Sequence, residues 1–223
     1  MIHVVPTADV TLEHLTITGG DFIFFGGGVR NDGELTIRHG LVTGNRSWNE
    51  GGGIWNNAGA VLRLEDTDVV GNDSFTTPEE AELGDVGYTI RGDDPEFATG
   101  NLGNAGQGGG IYNREGGVVV IVDGTVGGNT SRFAGGGLYL RRGSTTTFDG
   151  TSAVTANEAG SGGGGIHHVF YDGQQNTSLV PFASITSIAT GNTPTDYVPE
   201  NVGAPSTTSL SAPSAIPWTI RYR

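Results

Sequence analysis

Three carboxylates end similar strand-like segments, and their type and spacing suit cation binding. Glu65, Asp123 and Asp149 each follow an apolar residue, and Arg38 takes the matching place upstream. In stacked parallel strands such carboxylates would lie about 4.8 Å apart, where like charges raise one another's pKa unless a cation intervenes. Oxygen ligands at this spacing suit Ca²⁺, so Ca²⁺ is a possible ligand, although no cofactor is required. The alternative is a turn role, because Asp in turns commonly accepts hydrogen bonds from backbone amides.

A row of flat, polar-edged side chains is the second candidate site. Its members each lie two residues after a glycine triplet: Trp55, Tyr112, Tyr139 and His167. Because side chains alternate along a strand, this row points away from the apolar row beside it. Exposed rings on a rigid strip can stack on sugars while their polar edges bind hydroxyls, so we predict ligand binding here. The alternative is that the rings stack on one another or are covered by an insertion.

Both rows follow from one repeat, in which Gly-Gly-Gly precedes an apolar residue. The triplets end at Gly28, Gly53, Gly110, Gly137 and Gly165, with spacings of 25, 57, 27 and 28 residues. A period in the twenties is typical of solenoids. Each repeat also contains short strands rich in Val, Ile and Thr, and none shows a sustained helical period. We therefore predict an all-β fold, a right-handed parallel β-helix of about six coils.

Two further polar features of the repeat are predicted to be structural. Most repeats close on an Asn, and an Asn also follows the aromatic row at Asn31, Asn56 and Asn113. An inward Asn can bond to the coils above and below it, which makes a buried polar ladder tolerable. Leu140 and His168 occupy the same position in the later coils. Since His167 and His168 alternate in direction, we do not expect them to share a metal.

Two departures from the period define the domain organisation. Asn72 and the next triplet are 36 residues apart, against six in other coils, so residues 73–107 hold an insertion of about 30 residues. Insertions of this kind often lie on the functional face. From Thr193, five prolines among Ser and Thr indicate an extended cap or linker over residues 193–223, after a solenoid over residues 1–192. The first coil begins close to Met1, so we expect either a fragment of a longer protein or a gene start that is placed too late.

Charge and composition limit the partners. The net charge is −13, and all 11 basic residues are arginine, with no lysine and no cysteine. Nucleic acid binding needs clustered cations, so nucleic acid is not expected as a partner. No apolar run approaches the ~18 residues of a membrane span, so we expect no membrane insertion. An acidic body favours a neutral polysaccharide, a protein surface or a cation.

The repeat Gly-Gly-Gly-Ile-Trp/Tyr-Asn, with Leu-Thr-Ile and Gly-Asn, resembles the right-handed parallel β-helix repeats of polymorphic outer-membrane-type and related surface proteins. The resemblance covers residues 10–192 and departs from the pattern at Leu140 and His168. It implies an extracellular or cell-surface location.

We therefore expect a non-catalytic, adhesin-like module that binds polysaccharide or a cell-surface protein. One alternative is an enzyme, a polysaccharide lyase or glycoside hydrolase working between the aromatic row and the insertion. A second alternative is a structural spacer of a surface fibre. Fold alone decides none of these, because β-helices host several functions.

Overall fold

The computed structural model describes residues 1–22, 24–75, 106–170, 179–180 and 185–201. These residues form an all-parallel β-solenoid of about six coils, which confirms the predicted fold class. Each full coil adds one strand to each of four sheets, here named A to D in the order in which a coil passes through them. Strands are numbered in chain order, and one short helix, α1 (Ile185–Ile188), lies near the end.

Sheet A carries the residues that follow the glycine triplets. Its seven strands, in spatial order, are β1 (Ile2–Val4), β5 (Val29–Asn31), β9 (Ile54–Asn56), β13 (Ile111–Asn113), β17 (Leu138–Leu140), β21 (Ile166–Phe170) and β24 (Tyr197–Asn201).

Sheets B, C and D complete each coil. Sheet B contains β2 (Asp9–Glu13), β6 (Glu34–Arg38), β10 (Val61–Glu65), β14 (Val118–Val122), β18 (Thr145–Asp149) and β22 (Leu179–Val180). Sheet C contains β3 (Thr16–Thr18), β7 (Leu41–Thr43), β11 (Asp68–Val70), β15 (Thr125–Gly127), β19 (Ala153–Thr155) and β23 (Ala189–Thr190). Sheet D contains β4 (Asp21–Phe22), β8 (Arg46–Ser47), β12 (Asp73–Ser74), β16 (Thr130–Ser131) and β20 (Glu158–Ala159).

The main core is a set of aliphatic rows that run along the solenoid axis. The row after the glycine triplets is fully buried and in register from coil to coil, as predicted: Val29, Ile54, Ile111, Leu138 and Ile166. Strict alternation in sheet B supplies a second such row, including Leu64 and Ile121. Burying an aliphatic side chain of this size contributes about 1.5–3 kcal/mol. Each coil buries only a few such side chains, so the stability comes from repeating them along the stack.

The glycine triplets are explained by two backbone requirements. Gly51 has a left-handed backbone with φ of 66°, a region in which side chains are strained. A Cβ on Gly52 would lie 2.4 Å from the carbonyl oxygen of Asp73 and 2.5 Å from that of Gly109. The repeat therefore marks the corner where sheet D packs closely against the chain entering sheet A.

Buried asparagines form two hydrogen-bonded columns along the axis. In the first, Asn31 Nδ2 donates to Asn56 Oδ1 (2.8 Å), and Asn56 Nδ2 donates to Asn113 Oδ1 (3.0 Å). The second, which we name the closing-asparagine ladder, consists of Asn45, Asn72, Asn129, Asn157 and Asn192. All these side chains are buried, so each side-chain amide supplies a hydrogen bond that its neighbour cannot obtain from water.

The predicted insertion and tail fall only partly within the described chain. Asp73 and Ser74 form β12, and Gln107 pairs with Glu50 at the return into the next coil; residues 76–105 lie outside the described residues. At the tail, β24 pairs in parallel with β21, so sheet A continues beyond residue 192, and residues 202–223 lie outside the described residues. Within the described residues, no helix is long and apolar enough to cross a membrane.

Candidate functional site

The predicted aromatic row is formed on sheet A, and its rings stack from Tyr112 to His167. Trp55, Tyr112, Tyr139 and His167 are neighbours in register from β9 to β21. The ring centroids of Tyr112 and Tyr139 lie 5.2 Å apart, and those of Tyr139 and His167 lie 4.9 Å apart, with nearly parallel planes. Trp55 stacks on Phe25 at 4.9 Å instead. The row points away from the main core, as alternation requires.

This row is covered, which differs from the exposed strip that we expected. Trp55, Tyr112 and Tyr139 are only 3%, 1% and 6% exposed. They form a second apolar cluster with Ala134 and Val169, and Phe25 and Phe133 pack against it. The ring faces are occupied by other rings, so the self-stacking alternative describes these residues. Their predicted contact with a ligand stays a prediction that would require this cluster to open.

A buried carboxyl group, Glu50, lies in the second cluster and was missed by the sequence analysis. Glu50 is 4% exposed, and its Oε2 accepts a hydrogen bond from Trp55 Nε1 at 3.1 Å. Nearby, the buried Arg141 donates from Nη1 to the Tyr112 hydroxyl at 3.3 Å. Glu50 precedes a glycine triplet, in register with Phe25, Gln107 and Ala134. No shared residue type in that row signals a site.

The surroundings of Glu50 alter its protonation. Burial raises the pKa of Glu50 to about 7, although the Trp55 hydrogen bond and the charge of Arg141 partly oppose this. Burial and the neighbouring Glu50 also raise the pKa of Tyr112 well above its usual value. The cluster therefore holds a carboxyl group that exchanges a proton near neutral pH, beside a phenol that stays neutral.

A cation, Arg30, lies at the edge of the second cluster. The Arg30 guanidinium lies 5.1 Å from the centre of the Trp55 ring, within the range of a cation–π contact. Arg30 Nε donates to Asp32 Oδ2 at 2.8 Å, and His3 Nε2 lies 2.6 Å from the same oxygen. Burial works against ionisation of Asp32, but these hydrogen bonds outweigh it and lower the pKa of Asp32. Arg30 is thereby held over the indole.

The three carboxylates predicted to bind a cation do not form one row, which corrects the alignment. In sheet B, Glu65 pairs with Val122, and Val122 pairs with Asp149. Asp123 lies one residue further on, in a turn with a left-handed φ of 53°. The apolar run 118–122 contains no polar residue that marks the outward positions, and β14 extends to its end. Val122 therefore occupies the outward position that we had assigned to Asp123.

Each of these carboxylates has local partners of its own. Glu65 accepts hydrogen bonds from Arg63 and from Arg38 Nε, the latter at 2.7 Å, and these bonds lower the pKa of Glu65. Asp123 Oδ1 accepts from the backbone N–H of Thr151, which lies in the next coil, at 2.8 Å. Asp149 Oδ1 accepts from the next backbone N–H at 2.8 Å. Among the described residues, no group of three or more His, Cys, Asp or Glu could hold a metal. The possible binding of Ca²⁺ stays a prediction.

The outer side of sheet B carries a half-buried patch, which we name the Val/Thr face. It consists of Val61, Val118, Val120, Val122, Thr145 and Thr147. The inward neighbours of these residues are buried in the main core, so the patch lies on a rigid backing. Charged residues border it, with Arg63 beside Val120 and Asp149 beside Val122.

In comparisons of sequence and structure, no protein family, no characterised protein and no solved structure matched this chain. The class that the fold itself defines is the parallel β-solenoid.

Proposed function

We propose that this chain is a non-catalytic binding module of an extracellular or cell-surface protein, adhesin-like, which holds a neutral glycan against its Val/Thr face. The observation that carries the proposal is the patch of four valines and two threonines that stay half-buried on the outer side of three neighbouring strands. A contiguous apolar patch that keeps part of its surface accessible is a candidate interaction site.

The chemistry of the Val/Thr face suits a neutral polysaccharide. Valine methyl groups can contact the C–H faces of sugar rings, while the Thr145 and Thr147 hydroxyls can exchange hydrogen bonds with sugar hydroxyls. Equivalent side chains repeat about every 4.8 Å from strand to strand, so an extended polysaccharide chain meets similar groups at each step. The net charge of −13 disfavours polyanions.

The solenoid also supports binding through rigidity. The closing-asparagine ladder and the aliphatic rows fix each coil to the next. A preformed surface loses little conformational entropy when a ligand binds. A protein surface of complementary shape could use the same face.

One observation favours the enzyme alternative. A carboxyl group with a pKa of about 7, as burial gives Glu50, is typical of a general acid. A glycosidase also needs a second carboxylate about 5–9.5 Å away and access for the sugar. Glu50 is buried, it accepts hydrogen bonds from Trp55 and Tyr112, and the charges that act on it are those of Arg141 and Arg114. Binding is therefore the better-supported function.

Retention on polysaccharides tests the proposal. Val120→Glu places a carboxylate in the middle of the Val/Thr face, where Arg63 can pair with it, so the fold is expected to tolerate the change. Thr18→Glu is the matched control, since Thr18 is exposed and lies on sheet C, whereas the Val/Thr face lies on sheet B. We expect wild type and Thr18→Glu to be retarded equally in gels containing neutral polysaccharide, and Val120→Glu to migrate freely. Equal retardation of all three proteins would exclude the Val/Thr face as the glycan-binding surface. Shortened polysaccharide chains would favour the enzyme, and no retardation at all would favour the spacer.

A further inference from the structure

A shallow groove of about 480 Å³ lies at the corner between sheets B and C. Its polar lining comes from His14, Thr16, His39 and Asp66, and its apolar lining includes Leu15 and Leu41. The two histidines and Asp66 directly follow the last residues of β2, β6 and β10. The groove thus crosses the first three coils, away from the second cluster.

The backbone places these three side chains in one column. His14, His39 and Asp66 have left-handed φ values of 54°, 49° and 44°, a region that His and Asp enter more readily than most residues other than Gly. The imidazoles of His14 and His39 stack at 4.8 Å with an angle of 13°. His39 Nδ1 lies 3.5 Å from Asp66 Oδ2. Both histidines and Asp66 are exposed to solvent.

This lining combines the groups that recognise a sugar. Each imidazole offers a donor and an acceptor at its edge, Asp66 offers acceptor oxygens, and Thr16 offers a hydroxyl. Leu15 and Leu41 supply aliphatic surface for the C–H face of a ring. From this juxtaposition we infer that the groove binds a neutral pyranose unit of a glycan. The inference rests on the proposed glycan-binding function and adds a second contact point to the Val/Thr face.

Two other ligand classes fit the groove less well. A metal ion needs lone pairs that converge, but nearly parallel stacked imidazoles direct theirs into parallel planes. An acidic sugar would meet Asp66 within the groove and the net charge of −13 around it. A neutral, hydroxyl-rich ligand avoids both problems.

The test is a titration followed by the imidazole NMR signals. The probes are maltotetraose, cellotetraose and mannotetraose, with tetragalacturonate as the acidic counterpart and Zn²⁺ as the metal. The variant is His14→Asn/His39→Asn, because Asn also tolerates a left-handed backbone, so the turns are expected to keep their shape. Thr11→Ala is the control, an exposed change in the first coil outside the groove lining. Affinity is measured separately by calorimetry.

We expect a neutral tetrasaccharide to shift the His14 and His39 signals. The double variant should bind it about tenfold more weakly, because the shorter Asn side chains do not reach the positions of the imidazole edges and about two hydrogen bonds are lost. Thr11→Ala should bind as wild type does. If the double variant binds the tetrasaccharide as tightly as wild type does, the groove is not the binding site, but the proposed glycan-binding function stands. A response to Zn²⁺ or tetragalacturonate alone would overturn the neutral-sugar assignment. No binding of any neutral glycan, in solution or in gels, would overturn both proposals.

Discussion

Asn192 donates two hydrogen bonds to a single oxygen of Asp196, one from its backbone N–H (2.8 Å) and one from Nδ2 (2.9 Å). The same pair of bonds joins every step of the closing-asparagine ladder, as between Asn157 and Asn192. Within the ladder, both donors of each step thus come from the asparagine on the N-terminal side, and the acceptor oxygen comes from the one on the C-terminal side. The last step needs only an acceptor, and a carboxylate supplies it with the added strength of a charged partner.

Removing this acceptor should destabilise the last coil. Asp196→Ala leaves both donors of the buried Asn192 without their partner, so we expect the free energy of unfolding to fall by about 1–2 kcal/mol. Asp196→Asn keeps an oxygen in place and should cost less than about 1 kcal/mol. Urea denaturation of both variants measures the difference. Equal losses would mean that Asp196 acts through its charge alone and not as the end of the ladder.

The aromatic row should behave as a structural element. Tyr139 is stacked between Tyr112 and His167, so Tyr139→Ala is expected to lower the free energy of unfolding by about 3–5 kcal/mol, as large-to-small changes in cores do. Tyr139→Phe keeps the ring and should cost about 1 kcal/mol. Retention of Tyr139→Phe on neutral polysaccharide should equal that of wild type. If Tyr139→Ala unfolds like wild type yet loses retention, the ring contacts the ligand, as the sequence analysis had predicted.

The repeat made the coil predictable, because stacking places the same position of each repeat in one row. The inward aliphatic row, the asparagine columns and the register of the aromatic row follow directly from it. The carboxylate row was misaligned because the run 118–122 has no alternation from which its outward positions could be read. Sequence periodicity places a residue on a face but does not show what packs over that face.

The cover of the aromatic row shows that limit clearly. Phe25 and Phe133 pack against the row from outside the glycine-triplet strands. The position before the triplet holds Phe25, Glu50, Gln107 and Ala134 in successive coils, so no common residue type identifies it as part of a cluster. The buried carboxyl of Glu50 could therefore be found only once the coils were assembled.

Glu50 should make the stability of the protein depend on pH. Burial raises the pKa of Glu50 from its usual value of 4.5 to about 7 in the folded chain. Between these two values the folded state holds a proton that the unfolded state releases, so the free energy of unfolding should fall as the pH rises. The slope from this group is at most about 1.4 kcal/mol per pH unit. Its contribution is full below about pH 4.5 and is lost as the pH rises through about 7.

Glu50→Gln isolates this effect. The amide keeps an oxygen for Trp55 Nε1 but cannot ionise, and every other carboxylate is the same in the two proteins. Urea denaturation of both proteins at pH 5, 6, 7 and 8 should therefore give a difference that grows with pH, with the variant relatively more stable at pH 8 than at pH 5. A difference that does not change with pH would show that Glu50 is already ionised in the folded state. Arg141 would then neutralise the carboxylate within the cluster, and its removal by Arg141→Met should restore the pH-dependent term, because the opposing charge that favours ionisation is gone.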